Sequence, residues 1–156
     1  MATTREALEI TIALEKQSMS LYARLAKLFA DDPKLQDFWF GMARDEARHV
    51  GALDLVWTVL DLEGKLDAPC PISLEDSTIV KLREILAKSH SEAKPGIGIQ
   101  RALQMALEVE ETELEDLVAD LLKAVQAPEE YERCLRRRSR EAPKGESGTS
   151  RPCHKR

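Results

Sequence analysis

Two carboxylates and one imidazole stand out as candidates for chemistry in this 156-residue chain. Glu46 and His49 are three residues apart, and residues at that spacing lie on the same side of a helix, so both side chains can reach one ion. Glu15 lies within a separate stretch of helical hydrophobic periodicity. A carboxylate can bridge two metal ions while an imidazole binds one, so these residue types indicate a metal centre. The Glu-x-x-His spacing alone is a weak signal, because chance supplies it often.

The N-terminal segment also recurs 95 residues later without a gap. The corresponding residues are Ala7 and Ala102, Leu8 and Leu103, Glu15 and Glu110, Met19 and Leu114, Pro33 and Pro128, and Glu46 and Glu141. This repeat makes Glu110 and Glu141 further candidate ligands. Two helix pairs that each offer inward carboxylates predict a metal site inside a four-helix bundle.

Carboxylates on an apolar face need a compensating partner. A bare buried carboxylate costs at least several kcal/mol, and converging carboxylates repel each other. A divalent or trivalent cation removes both penalties, and oxygen-rich ligation with imidazole suits iron or manganese. The alternative interpretation is that each acid, taken singly, is a half-buried glutamate that pairs with an arginine; the candidates are Arg24, Arg44, Arg48 and Arg101.

Hydrophobic periodicity predicts that the first two helices form an antiparallel hairpin. The predicted spans are about 6–30 and 33–62. Thr3 and Glu6 have the spacing of a capping box at the start of the first helix. Asp32 fits the N-cap of the second helix, and Pro33 fits its first position. A link this short makes the two helices antiparallel neighbours.

A crossover of more than thirty residues separates the hairpin from the third long helix. Within it, Ser73 and Asp76 have capping-box spacing and are expected to open a short helix through Leu86. His90 is expected to lie in the loop that follows. The third long helix is predicted over about 99–125, with an inner face of Leu103, Ala106, Leu107, Glu110, Leu114, Leu117 and Leu121.

The fourth helix is predicted to begin at Pro128 and to be short or incomplete. Apolar residues almost vanish after Leu135, and Pro143 should end any helix nearby. The expected fold is therefore all-α, a ferritin-like four-helix bundle in residues 1–140 with one long crossover containing a short helix. Residues 141–156 are expected to form a basic, poorly ordered tail.

Composition argues against several classes of function. No run of about 18 apolar residues exists, so no membrane span is expected, and the N-terminus lacks the apolar segment of a signal peptide. Residues 133–156 contain nine Lys or Arg and two Glu, a charge of +7, which leaves −12 for the first 132. This acidic body disfavours nucleic-acid binding. Three scattered cysteines without a Cys-x-x-Cys motif predict free thiols and a cytoplasmic protein.

At these residues the chain resembles the rubrerythrin-like branch of the ferritin-like superfamily. The matching features are Glu15 followed seven residues later by Tyr22, then the Glu46-x-x-His49 run, the crossover, and Glu110. The resemblance covers about residues 6–132 and concerns spacing more than exact sequence. In that family, glutamates and histidines from four helices hold two irons.

The resemblance implies a role for each matching residue. Glu15 and His49 would be terminal ligands of one iron, Glu46 a bridging carboxylate, and Glu110 a terminal ligand of the second iron. Tyr22 would be either plain core or a hydrogen-bond donor to the metal shell, and it is the candidate catalytic residue.

The fourth helix departs from the family pattern. Glu141 stands at the second bridging position, but Lys144 occupies the place of the matching histidine, and a charged lysine cannot ligate a metal. Pro143 lies between the two. The second metal position is therefore expected to be incomplete.

Two functions follow from these expectations. The first is a rubrerythrin-like iron protein, a cytoplasmic homodimer that reduces hydrogen peroxide or oxidises ferrous iron with peroxide or dioxygen and contributes to oxidative-stress defence. The chain has no rubredoxin module, so this oxidoreductase would need a separate electron-donor protein. The alternative is a non-catalytic metal-binding or storage bundle with a defective second metal position.

Overall fold

The computed structural model describes residues 2–70, 72–112, 118–121 and 123. Its bounded helices are α1 (Thr4–Leu28), α2 (Pro33–Leu62), α3 (Ser77–Glu92) and α4 (Ile99–Glu110). The described part is predominantly helical, as the sequence predicts, and its β-type pairing is an isolated bridge between Thr3 and Pro69. No helix in that part is long and apolar enough to cross a membrane. The predicted fourth helix and the basic tail lie outside the described residues.

The starts of α1 and α2 follow from their capping residues. Thr3 Oγ1 accepts a hydrogen bond from the backbone N–H of Glu6, and the Glu6 carboxylate accepts one from the backbone N–H of Thr3 at 2.8 Å. At the start of α2, Asp32 accepts from the backbone N–H of Lys34 at 2.9 Å, and Pro33 is the first helical residue. Both predicted starts are confirmed, because each side chain satisfies a backbone donor that has no partner within the helix.

Helices α1 and α2 pack side by side as an antiparallel hairpin. The contacts that fix their register join Arg5 to Trp57, Glu15 to His49, and Tyr22 to Trp39. Residue numbers rise along α1 as they fall along α2, which defines the antiparallel arrangement. The core between them is formed by apolar side chains that are almost completely buried, among them Leu8, Leu21, Leu25, Trp39, Leu53 and Leu60.

Helix α3 begins later than the capping-box spacing predicts. Asp76 is itself the N-cap and accepts a hydrogen bond from the backbone N–H of Thr78 at 2.8 Å. Ser73 instead accepts from the backbone N–H of Glu75 at 3.2 Å, in the turn before the helix. The predicted Ser73–Asp76 capping box is therefore wrong, because each residue caps a different local turn.

The C-terminal end of α3 connects to α1. His90 lies in the last turn of α3, so its predicted place in a loop is also wrong. Its ring Nε2 lies 3.0 Å from the carbonyl oxygen of Gln17, and Arg24 donates to the His90 carbonyl at 3.2 Å. These bonds fix the end of the crossover helix against the middle of α1.

Helix α4 ends at Glu110, whereas the periodicity predicts one helix to about residue 125. The backbone N–H of Thr112 bonds to the Val109 carbonyl at 3.1 Å, and the Thr112 hydroxyl donates to the same carbonyl at 2.7 Å. Residues 118–121 and 123 are helical again. A turn at Glu111 and Thr112 therefore interrupts the predicted helix, because local bonds replace its regular pattern.

The inner face predicted for α4 is also wrong in part. Its buried residues are Ala102, Met105, Ala106 and Val109. Leu103 is 40% exposed, Leu107 is 54% exposed, and Glu110 is exposed as well. Helix α4 contacts α3, and Arg101 donates to Glu92, the last residue of α3, at 2.7 Å.

Candidate metal centre

Three of the predicted site residues lie together inside the hairpin. Glu15 occupies the middle of α1, and Glu46 and His49 occupy adjacent turns in the middle of α2. Their residues are only 2%, 4% and 5% exposed, respectively. The antiparallel register brings α1 and α2 into contact at this level, so the two helices present all three polar side chains to the same interior point.

The distances between the three side chains match those between ligands of one ion. His49 Nδ1 lies 3.1 Å from Glu46 Oε2 and 3.5 Å from Glu15 Oε2. One ligand atom from each residue lies within 4.8 Å of the other two. For metal–ligand bonds of about 2.1 Å, adjacent ligand atoms are about 3.0 Å apart in an octahedron and about 3.4 Å apart in a tetrahedron. The group can therefore hold a metal ion with little movement of its side chains.

When no metal is bound, protons held by Glu46 and His49 offset the negative charge of this group. Burial is the largest influence on Glu46 and raises the pKa of its carboxyl; the hydrogen bond to His49 opposes this, and the neighbouring Glu15 carboxylate adds to it. Burial lowers the pKa of His49, but the hydrogen bonds and charges of Glu15 and Glu46 outweigh burial and raise that pKa to about 10. Both shifts reduce the net negative charge inside the hairpin.

The alternative in which arginines neutralise Glu15 and Glu46 does not describe this structure. Each candidate arginine has a different partner: Arg24 donates to the His90 carbonyl, Arg44 pairs with Asp37, Arg48 with Asp45, and Arg101 with Glu92 and Glu108. The acidic pair in the hairpin instead has the imidazole of His49 as its cationic neighbour.

Glu110 does not belong to this three-residue group. Its carboxylate Oε1 accepts a hydrogen bond from the hydroxyl of Tyr22 at 2.9 Å. Tyr22 is fully buried and stacks on Trp39, with ring centroids 6.3 Å apart. The hydroxyl thus connects the hairpin to the last residue of α4. The sequence placed Tyr22 on the same stripe as Glu15 but gave no signal that its partner would be Glu110.

Glu141 lies outside the described residues, as do Pro143 and Lys144, so the second bridging position predicted for Glu141 stays a prediction.

No protein-family model, curated protein or solved structure matches this chain. The rubrerythrin-like resemblance therefore depends on the residues already named, and the geometry of the site carries the functional argument.

Proposed function

We propose that this chain is a metal-binding helical protein that holds one ion, with iron as the primary candidate, between Glu15, Glu46 and His49. The observation that carries this proposal is the convergence of two buried carboxylates and one buried imidazole at ligand-to-ligand distances. Such a group is costly to bury in an apolar interior. A cation bound at its centre offsets that cost, because its positive charge replaces the protons that Glu46 and His49 hold in the metal-free protein.

The donor set fits iron or manganese. Two oxygens and one imidazole nitrogen are ligands that these ions accept, and three protein ligands leave coordination positions open for other molecules. When bound, iron supplies one-electron redox chemistry toward peroxide or dioxygen. The residues of the chain hold the ion and exclude water from it, and His49 must release the proton on Nδ1 to bind it.

The proposed activity is reduction of peroxide or oxidation of ferrous iron, as in rubrerythrin-like proteins, within a ferritin-like bundle. Open coordination positions at a buried ion support this proposal, because a small oxidant needs both a binding position and protection from solvent. Peroxide reduction would require electrons from a separate donor protein.

A second candidate function is non-catalytic metal binding. The observation that favours it is the position of Glu110, whose carboxylate is bonded to Tyr22 and does not join the three-residue group. The described residues therefore provide one ion-binding position. A single buried ion with no redox partner would make the chain a metal carrier or store.

Anaerobic titration of metal-free protein with ferrous iron tests the proposal, followed by addition of hydrogen peroxide. We expect tight binding that Glu46→Gln weakens by more than about 100-fold, since this change removes a ligand charge but preserves volume. The matched control is Glu9→Gln, which neutralises an exposed acid on α1. Binding that is absent, or equal in both variants, would overturn the proposal. Peroxide-dependent oxidation of the bound iron supports the enzyme, and its absence supports the carrier.

A further inference from the structure

A surface groove lies along the seam between α1 and α2. Its volume is about 340 Å³, and its lining residues are Glu9, Ile12, Ala13, Lys16, Asp54 and Trp57. Sites for small molecules in proteins have volumes from about 300 Å³ upward, so the groove is large enough for a small organic molecule. None of the six lining residues belongs to the three-residue metal group. A ligand of the groove would therefore occupy a site distinct from that of the ion.

The two carboxylates of the groove lie level with each other. The contact between Arg5 and Trp57 fixes the local register of the antiparallel helices. Glu9 lies four residues after Arg5, and Asp54 lies three residues before Trp57, so both acids are about one turn from that contact. Both acids are exposed and both line the groove. A positive charge placed between them is attracted by both carboxylates.

The aromatic wall of the groove lies in a field that favours cations. The Arg5 guanidinium lies 5.4 Å from the centroid of the Trp57 ring, which is a cation–π distance. The pKa of Arg5 is raised, chiefly by its hydrogen bond to Asp67, and the charge of Glu9 adds to this shift. Trp57 also lines the groove, so its indole contacts both the Arg5 side chain and the groove. This end of the groove therefore suits an organic cation.

The opposite end of the groove is first apolar and then basic. Ile12 and Ala13 lie one turn after Glu9 on α1, and Lys16 lies one turn further on. Lys16 is thus about 10 Å from Glu9 along the helix axis. Its ammonium group repels a second positive charge at that end. The groove therefore matches a ligand with one cationic end, an apolar body and a far end that is not cationic.

We propose that this groove binds a small amine that carries a single positive charge on an unbranched apolar body. The ammonium group lies between Glu9 and Asp54 beside the Trp57 ring, and the body lies on Ile12 and Ala13. The order of negative, apolar and positive groups is complementary to this molecule along its whole length. The same order disfavours a diamine of equal length, because the second charge of the diamine meets a lysine.

Isothermal titration calorimetry of the metal-free full chain tests the proposal with three six-carbon probes. Hexylamine carries one positive charge at neutral pH, hexamethylenediamine carries two, and hexanol carries none. At low ionic strength we expect hexylamine to bind at least about 3-fold more tightly than each of the other two. Hexanol lacks the charge, and the diamine brings its second charge to Lys16. Equal affinities, or no binding of hexylamine at millimolar concentration, would overturn the proposal.

Asp54→Asn tests the position of the ammonium group. The change removes one carboxylate and preserves the volume of the side chain, so hexylamine affinity should fall by about 5-fold. The matched control is Asp37→Asn, which removes the same charge from another exposed acid of α2, about 26 Å away along the helix. It should change the affinity by less than about 2-fold. Equal losses in the two variants would point to general attraction by an acidic protein and would refute the groove site.

Lys16→Gln tests the far end of the groove. Loss of this charge should raise the affinity for hexamethylenediamine by about 5-fold and change that for hexylamine by less than about 2-fold. A gain confined to one probe cannot come from damage to the fold. If the preference for hexylamine persists in this variant, the ligand does not extend toward Lys16, and the proposal fails. All of these titrations use metal-free protein, so their outcome is separate from that of the iron titration.

Discussion

Helices α1 and α4 carry the two copies of the sequence repeat, yet they bury it differently. Ala7 and its counterpart Ala102 are buried in both. Leu8 is buried completely, whereas Leu103 is exposed. The same contrast separates Glu15, which is buried, from Glu110, which is exposed. One half of the repeated face is therefore covered in both helices, and the other half is covered only in α1.

The packing of α1 against α2 accounts for the buried copy. In α1 the half that carries Glu15 faces α2, where it meets His49. In α4 the half that carries Met105 is buried, and the half that carries Glu110 is exposed. A repeat thus determines where an acid lies on a helix, but a packed neighbour determines whether that acid becomes a buried ligand. Four predictions test this distinction.

Neutralising the two equivalent glutamates should have very different effects on metal binding. Glu15→Gln removes a ligand charge from the buried group, so we expect ferrous iron affinity to fall by more than about 100-fold. Glu110→Gln should change the affinity by less than about 3-fold, because its carboxylate bonds to Tyr22. Anaerobic titration of both variants measures the two constants. Equal losses would show that Glu110 moves to the ion when the metal binds.

Truncating the two equivalent leucines should lower the free energy of unfolding by different amounts. Leu8→Ala opens a cavity in the hairpin core and should lower the free energy of unfolding by about 2–5 kcal/mol. Leu103→Ala should cost less than about 1 kcal/mol, because the side chain is already partly in water. Urea denaturation of metal-free protein gives both values. Similar losses would indicate that Leu103 is covered in solution.

The buried group predicts that the metal-free protein becomes less stable as pH rises. The pKa of His49 is raised to about 10 from an unfolded value of about 6.5, so the folded state holds this proton more tightly. Its contribution is complete below pH 6.5 and is lost as pH rises toward 10. Glu46, whose pKa is also raised, acts in the same direction. One proton gives a slope of up to about 1.4 kcal/mol per pH unit.

Denaturation at pH 7 and pH 9 measures this slope, and we expect a loss of about 2 kcal/mol. His49→Gln is the control, because it should remove most of the pH dependence in this window. Metal affinity should change in the opposite direction, since the ion displaces the His49 proton and binds more tightly as pH rises. A metal-free protein whose stability increases from pH 7 to pH 9 would contradict the raised pKa of His49.

The elements with strong local signals were predictable from the sequence. Thr3 and Glu6 cap α1, and Asp32 with Pro33 opens α2, because these interactions involve residues close in the chain. A short link between two amphipathic helices left only an antiparallel hairpin, which brings the three polar residues near each other. His49 completes the group because its spacing from Glu46 is fixed by the helix.

The predictions that were wrong depend on contacts between distant residues or on local turns that compete with the helix start. Periodicity placed Leu103 and Leu107 on the inner face of α4, but it could not show which half of that apolar surface would be covered, and both residues are exposed. Ser73 and Asp76 satisfied a local rule, but each formed its own turn.

Tyr22→Phe tests the hydrogen bond between Tyr22 and Glu110, which connects the two repeats directly. The change removes the hydroxyl that donates to Glu110 and preserves the ring that stacks on Trp39. We expect a loss of about 1 kcal/mol in unfolding free energy, because exposed Glu110 can recover a bond to water. Urea denaturation of Tyr22→Phe, Glu110→Gln and the double variant isolates the coupling between the two residues.

The same variants decide what Tyr22 does at the site. If it acts only through Glu110, the double variant is about as stable as Tyr22→Phe alone, and iron affinity changes by less than about 3-fold in each. If the hydroxyl instead supports the metal shell, Tyr22→Phe lowers iron affinity by about 10-fold or more, and Glu110→Gln does not reproduce this loss. The first result keeps Glu15 and Glu110 in separate roles, while the second makes Tyr22 part of the metal centre.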